Sequence, residues 1–409
     1  MTDLPIDAAL AARSLDRRLD LNGRAVIAAC LVLIVGALWL GHDYSWRQGA
    51  LFVVGGGLGV ALYHALFGFT SAWRVFIADR RGAGLRAQML MLAAAVLVFF
   101  PLLAHGSVLG QPVRGEYGAV GVSVIVGAFL FGLGMQLGGG CASGTLYTAG
   151  GGNLRMLVTL AAFILGSTVG AFHLPWWQTT PSVGPVSLIK ALGWMPALAL
   201  NLLAFAGIAA VTLWAERRRH GRVVSGVGLG PRGWRALMRG PWPLFWGALG
   251  LVLGNILTLI LAGRPWGITS GFALWGSKLA LLSGLDVGSW GYWASPARAK
   301  ALHASLFADI TSIQDFGIMA GALLASGLAG KFSPEWTVPW RSLIAALIGG
   351  LLLGYGARLA YGCNIGAYFS GIASSSLHGW LWFAAALLGS VAGTRLRPLF
   401  GLAVERSRA

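Results

Sequence analysis

"GGGCASGTLYTAGGGN", residues 138 to 153, lies between two strongly apolar stretches, and a relative of it, "YGCNIGAYFSGIASSS", recurs at 361 to 376. Each run sets one cysteine among glycines and small polar residues, so helical propensity fails on both sides of the cysteine. A membrane interior penalises such breaks. Backbone amides and carbonyls without partners cost several kcal/mol each there, and irregular backbone persists only where protein or a watery cavity surrounds it. Glycines in membrane helices often serve close packing alone, but a packing stripe has helical spacing, which these runs lack.

The two runs are copies. "GLGMQLGGGCASG" (132–144) aligns with "GYGARLAYGCNIG" (354–366) with six of thirteen positions identical, and after one inserted residue "AAFILGSTVG" (161–170) matches "AAALLGSVAG" (384–393). A shorter echo, "FGFTSA" (67–72) against "WGITSG" (266–271), comes earlier in each half and in the same order. An internal duplication explains all three pairs.

Composition places the duplication in a bilayer. The chain has 409 residues, 56% hydrophobic and only 11% charged, with 62 glycines, a balance beyond what a soluble core requires. Runs such as "AVIAACLVLIVGALWL" (25–40) have about the length that crosses a hydrocarbon layer of roughly 30 Å. The net charge of +17 comes from short basic segments flanking apolar runs, where they fix orientation, so nucleic acid is not an expected partner. Three cysteines, Cys30, Cys141 and Cys363, are too few and too scattered for a disulfide framework or a metal site, and no metal or cofactor is expected. The mixed charge of residues 1–24 and the missing small-residue cleavage site speak against a signal peptide.

Reading apolar runs against turn signals gives spans near 25–40, 49–66, 87–104, 118–137, 154–172, 194–214, 242–262, 308–329, 340–361 and 377–394. The basic segments at 79–86, 216–222 and 231–240, with both termini, are separated by even numbers of spans, which predicts one cytoplasmic side carrying both chain ends. A further apolar stretch within 263–307 would spoil this parity and reads as re-entrant or interfacial, with "SWGYW" (289–293) at an interface. The expected class is an all-α polytopic membrane protein with about ten transmembrane helices and two inverted-topology repeats containing re-entrant or broken-helix loops. Its expected parts are a cytoplasmic segment (1–24), an extra N-terminal span with its loop (25–48), a first repeat (49–193), a connector helix with a basic cytoplasmic loop (194–241), a second repeat (242–394) and a basic cytoplasmic tail (395–409).

The odd connector span turns the second copy over, which sends Cys141 toward the cytoplasm and Cys363 toward the periplasm. Four loops then face one another across the middle. They end in Thr70 and Ser71, Thr269 and Ser270, Asn153, and Ser374 to Ser376, residue types that cap helix N-termini. Converging N-termini present free N–H groups and partial positive charge, which suits an anion. The glycines beside the cysteines, Gly140 and Gly144, Gly362 and Gly366, let backbone approach such a ligand. Low dielectric favours the neutral thiol, which donates a weak hydrogen bond to an anion where a thiolate would repel it. Arg358 lies five residues before Cys363, matched by Gln136 in the other copy, and either attracts an anion or serves in an ion pair or by snorkelling. Arg155 and His378 also match across the copies and are open to headgroup contact. Asp315 is a candidate for proton coupling, whereas interfacial solvation accounts for Asp309.

On "GLGMQLGGGCASGTLYTAGGGNLR", "GYGARLAYGCNIGAYFSGIASSSLHGW" and "GFTSAWR" the chain resembles the YeeE/YedE family of bacterial inner-membrane proteins from about residue 49 to 394. The resemblance implies an inverted two-fold fold with opposed short loops, and uptake of thiosulfate handed along cysteine thiols, with Cys141 and Cys363 as two of them. It also implies cytoplasmic handover to a sulfurtransferase or sulfur-carrier protein. Many relatives carry a further cysteine just before their "FTSA"-like residues; here Gly68, and Gly267 in the second copy, take that place, so other small sulfur or selenium oxyanions stay open as substrates. A different class, a membrane enzyme that passes sulfur through a cysteine persulfide, would require an activated thiolate beside a base, and no such pair stands out.

Overall fold

A computed structural model of the protein describes residues 21–223, 233–334 and 337–405. Most of the expected N-terminal segment, positions 224–232 of the connector loop and the last four residues of the tail lie outside the described residues. The chain folds into α1 (Gly23–Asp43), α2 (Trp46–Ala65), α3 (Phe69–Asp79), α4 (Ala83–His105), α5 (Val122–Gly138), α6 (Ala142–Gly150) and α7 (Leu154–Trp177). It continues through α8 (Trp194–His220), α9 (Leu244–Ala262), α10 (Thr269–Leu282), α11 (Ile310–Leu328), α12 (Trp340–Leu359) and α13 (Leu377–Leu396), with shorter helical turns between. The few strands, such as Ala119–Gly121 paired with Ser182–Pro185, lie between helices.

Among the described residues nine helical stretches are long and apolar enough to cross a membrane. The tenth expected span, α11, has the same 19 residues as α9, but Gln314 and Asp315 make its first half more polar. Between α9 and α11 the chain does not cross as a full span. Its helix there, α10, has 14 residues, about 21 Å at the α-helical rise, and the chain then turns through a 3-10 turn and a short helix at Pro296–His303. The aromatic cluster expected at an interface instead turns partly inward: Tyr292 and Trp293 are buried, and the Trp293 indole donates to Ser277 Oγ at 3.1 Å.

Glycine decides how closely the helices pack. α7 lies on α12, α5 on α13, and α5 and α12 on each other. A methyl at Gly354 would sit 2.1 Å from the carbonyl oxygen of Phe163, and one at Gly132 would sit 2.0 Å from that of Ala386. These are the same contact with the halves exchanged. Ser167 Oγ donates to the Gly354 carbonyl at 3.4 Å, and Ser390 Oγ to the Gly132 carbonyl at 3.2 Å. Gly166 on Leu351 and Gly389 on Phe129 repeat the exchange once more. Each half thus grips a helix of the other, backbone against backbone, as small residues in membrane helices allow.

The helices α1 and α8 lie apart from this crossing. α1 packs on α2 and α11, and α8 packs on α4. α1 thus rests on helices of both halves, whereas α8 rests mainly on α4, with Phe205 stacked on Trp380 of α13 at 5.5 Å. Both present exposed apolar side chains, Ile27, Ile34 and Leu38 on α1 and Leu203, Val211 and Trp214 on α8, as lipid-facing helices do. Arg86 pairs with Glu216 at 2.6 Å and His220 Nε2 lies 2.7 Å from the Asp79 carbonyl, so the basic stretches at 79–86 and 216–220 share one face.

Substituting Gly132 or Gly354 with Val is expected to cost about 1–3 kcal/mol or more by forcing the crossing apart. Gly207, whose would-be Cβ meets no atom of another element within 4 Å among the described residues, should accept Ala unchanged. Size-exclusion profiles in detergent check both: the first two variants lose the monodisperse peak and the third keeps it.

Candidate anion pathway

Cys141 occupies the N-cap of α6 because Gly139, at φ +91°, ends α5 in a left-handed turn and sends the chain into a new short helix. Its Sγ accepts from the Gly144 amide at 3.4 Å and lies 3.4 Å from Ser143 Oγ. Cys363 stands at the corresponding start of a π-helical segment, Asn364–Ser370, after Gly362. At Gly362 a methyl would come 2.7 Å from the Ala367 amide nitrogen, so only glycine allows that turn. Both thiols are buried. Gly140 likewise lies close over Gly144 and Thr145.

The broken helices meet around the Cys363 segment. That segment lies against α6, a methyl at Gly366 would reach the Gly267 Cα at 4.0 Å, and the Tyr368 ring sits 6.1 Å from that of Phe69 at the start of α3. Three elements that begin at glycine- or cysteine-bearing breaks therefore converge on the fourth. Tyr368 stacks on Phe383 at 5.1 Å and on Trp382 at 6.2 Å, with Trp73 edge-on, forming an aromatic wall. On these converging segments the Asn364 amide, the Tyr368 hydroxyl and the Thr70 hydroxyl are buried without a hydrogen-bond partner among the described residues. Buried polar groups are normally satisfied, so this cluster is suited to a polar ligand.

Arg358 completes the region. Its guanidinium donates to Tyr292 Oη at 2.8 Å and to Thr269 Oγ1 at 3.0 Å, while its Nε is buried without a partner among the described residues. Its exposure is 7%, and among the described residues it makes no ion pair. The other half builds the same link without the charge: Gln136 Nε2 donates to the Thr70 carbonyl at 3.3 Å. Ser270 Oγ and Thr311 Oγ1 are 3.0 Å apart, and Arg264 donates to the same Thr311 at 3.0 Å, so further donors gather beside Thr269. Asp315, also buried, has no hydrogen-bond partner among the described residues; a methyl on Gly271 would lie 2.9 Å from its Oδ2. Asp309 caps α11, accepting from the Ser312 amide at 2.8 Å.

Other expected site residues have different places. Thr70 and Ser71 lie in the first turn of α3, behind Gly68 at its cap, and Ser71 Oγ donates to the Gly68 carbonyl at 3.3 Å. Gly68 and Ser71 also line a cavity of about 210 Å³ with Gln88. Thr269 and Ser270 open α10. Asn153 caps α7, but the whole of α6, about 14 Å of helix, separates it from Cys141. It lines a polar cavity of about 410 Å³ with Tyr63, Arg155 and Lys331. Arg155 donates to the carbonyls of Leu137 and Gly138, both at 2.7 Å, and so caps the end of α5. Ser374 accepts from the Glu116 amide and Ser375 from the Ile189 amide, so these serines pin neighbouring loops. Sequence reading missed Tyr292 as a partner of Arg358; its one signal was a tyrosine inside the dense aromatic run at 289–293.

The arrangement defines a class: a polytopic helical membrane protein whose broken helices bring two cysteines, small hydroxyls and a buried arginine into one interior region. Neither cysteine has a histidine or carboxylate as hydrogen-bond partner among the described residues. The chain belongs to the family described as "Sulphur transport", which matches residues 64–392, and this is a transport family, not one of enzymes. It is 33% identical over 150 residues to the "Probable transporter YedE" of Escherichia coli K12, a match spanning 36% of this chain and only 36% of that protein. It is 27% identical over 361 residues to the "Thiosulfate transporter TsuA" of Spirochaeta thermophila, covering 83% of this chain and 95% of that one. The Escherichia coli K12 protein of the same description is 23% identical over 352 residues, 82% of this chain and 91% of that one.

Glu116, in the loop before α5, offers a test of the electrostatics around Arg358. Burial pushes its carboxyl above the ordinary value, and Arg264, Arg114 and Arg358 pull it the other way. A raised carboxyl pKa favours the folded state at low pH, and that advantage is lost as pH rises through the raised value. Glu116→Gln is therefore expected to match wild type near pH 4 and to melt about 2 °C higher at pH 8, read by thermal unfolding in detergent.

Proposed function

We propose that the protein carries a small sulfur-containing anion, thiosulfate first among the candidates, across a bacterial inner membrane. Its two copies are oppositely oriented, both chain ends face the cytoplasm, and the anion enters near Cys363 and leaves near Cys141. The family, and the thiosulfate transporters to which most of the chain is similar, support this reading. The observation that carries it is Arg358: a buried cation held by two neutral hydroxyls, with no carboxylate in ion-pair distance among the described residues. A charge at such depth is costly and calls for an anion.

In this reading Tyr292 and Thr269 orient the guanidinium, which draws the anion to the outer mouth. The thiols of Cys363 and Cys141 then donate weak hydrogen bonds in turn, each replacing part of the hydration the anion has left behind. Because a thiol is a weak donor, it holds the anion loosely enough to release it, as conduction through successive sites requires. Asn364, Thr70 and Tyr368 supply stronger donors between them. Cytoplasmic consumption by a sulfurtransferase or sulfur-carrier protein would keep the flow inward.

Uptake of radiolabelled thiosulfate into proteoliposomes tests the proposal, with sulfate, sulfite and selenite as competitors. Cys141→Ala and Cys363→Ala should abolish uptake while the protein still inserts, and serine at either position should retain part of it. Arg358→Gln should raise KM about ten- to a hundredfold, the loss of a charge-assisted hydrogen bond of roughly 1.5–3 kcal/mol. Undiminished uptake in both alanine variants would end the thiol model.

A further inference from the structure

Gln136 stands where the second copy has Arg358, so the Cys141 end lacks an arginine at that position. Two others supply the charge. Arg74, on α3, places its Nη1 3.5 Å from Gln136 Oε1, and Arg397, just past α13, donates to the Gln136 carbonyl. The chain after Arg397 folds back on itself, with the Leu402 amide donating to the Arg397 carbonyl at 3.1 Å and Arg397 Nε donating to the Ala403 carbonyl at 2.9 Å. This turn delivers Glu405 to Arg74. Its two carboxylate oxygens take the two arms of the guanidinium, Nε at 2.6 Å and Nη2 at 2.5 Å.

The pair is asymmetric in a telling way. The Arg74 side chain is 10% exposed and the Glu405 side chain 38%, so the cation belongs to the protein interior and the carboxylate to the water boundary. Arg74 also lies on the route to the central cluster, because Gln136, which it faces, holds the Thr70 carbonyl. A guanidinium fork binds any anion that offers two oxygens at carboxylate spacing, and a small tetrahedral oxyanion does so as well. The tail carboxylate is tethered only a few residues from Arg397, so it competes as an internal ligand at an effective concentration in the millimolar range.

We propose that Arg74, with Arg397 and Gln136, forms a second binding site for small oxyanions at the Cys141 end of the pathway, and that Glu405 is its built-in, displaceable occupant. An anion arriving from the centre exchanges with Glu405, and the tail closes the site again once the anion has left. This rests on the transport reading for its physiological meaning, but the binding site itself does not.

Two measurements keep these apart. Anion binding is read on purified protein in detergent, as the thermal shift against thiosulfate and sulfate concentration; transport is read as thiosulfate counterflow in proteoliposomes. Glu405→Gln is expected to lower the half-saturating thiosulfate concentration about five- to twenty-fold and to speed counterflow. Glu405→Ala should behave the same way, and Arg74→Gln should remove the gain when combined with Glu405→Gln. If Glu405→Gln and Glu405→Ala, both monodisperse, leave binding unchanged, the pair is only structural and the proposal is overturned. If binding responds to Glu405 while no variant, nor wild type, shows counterflow, the site stands and the transport reading fails.

Discussion

The crossing of α5 and α12 with α13 and α7 is the constraint on which the rest depends. At Gly132, Gly354, Gly166 and Gly389 no Cβ separates the helices, and carbonyl oxygens of one half lie where a side chain of the other would have been. In lipid there is little hydrophobic drive between helices, so close van der Waals contact and the two serine-to-carbonyl hydrogen bonds must hold the halves together. The close packing runs to the ends of α5 and α12, where Gly349 lies against Gly138 and Gly127 against Ala360. Both helices can break at their cysteine loops, because the framework beneath the breaks is already fixed.

Breaking a helix in a membrane exposes backbone that must then find partners, and the chain answers this locally. The Thr145 hydroxyl donates to the Cys141 carbonyl at 2.8 Å, the Ala367 amide donates to that of Cys363 at 2.8 Å, and Arg155 covers the last carbonyls of α5. The side chains within the convergence are left less well matched. Asn364, Thr70, Tyr368 and Arg358 Nε have no partner there among the described residues, although backbone around them is satisfied. Stability would favour apolar residues at such positions, and their retention fits a region shaped for a ligand.

The two ends of this region differ in how charge is balanced. On the Cys363 side, Arg358 rests on neutral hydroxyls, with Arg264 and Arg114 close enough to act on Glu116. On the Cys141 side the duplicated position is a neutral glutamine, and the arginines nearby are answered by a glutamate from the tail. A duplication fixes backbone geometry in both halves. It leaves the charge beside each cysteine loop free to diverge.

Much of the architecture could be read from the sequence alone, because the relevant physics is local. A bilayer demands about twenty apolar residues per span, and a helix that breaks needs glycine at the break, so the spans, the two cysteine loops and their repetition were legible in composition and spacing. The place of Asn153 as a cap was legible for the same reason. Its distance from Cys141 was not, nor was the inward turn of Tyr292, the pairing of Gln136 with Thr70, the capping duty of Arg155 or the return of Glu405 to Arg74. Those contacts join residues up to 331 positions apart, and no periodicity records them. They exist only once the tertiary fold has packed α3 against α5 in one half and α10 against α12 in the other, and has returned the tail to α3.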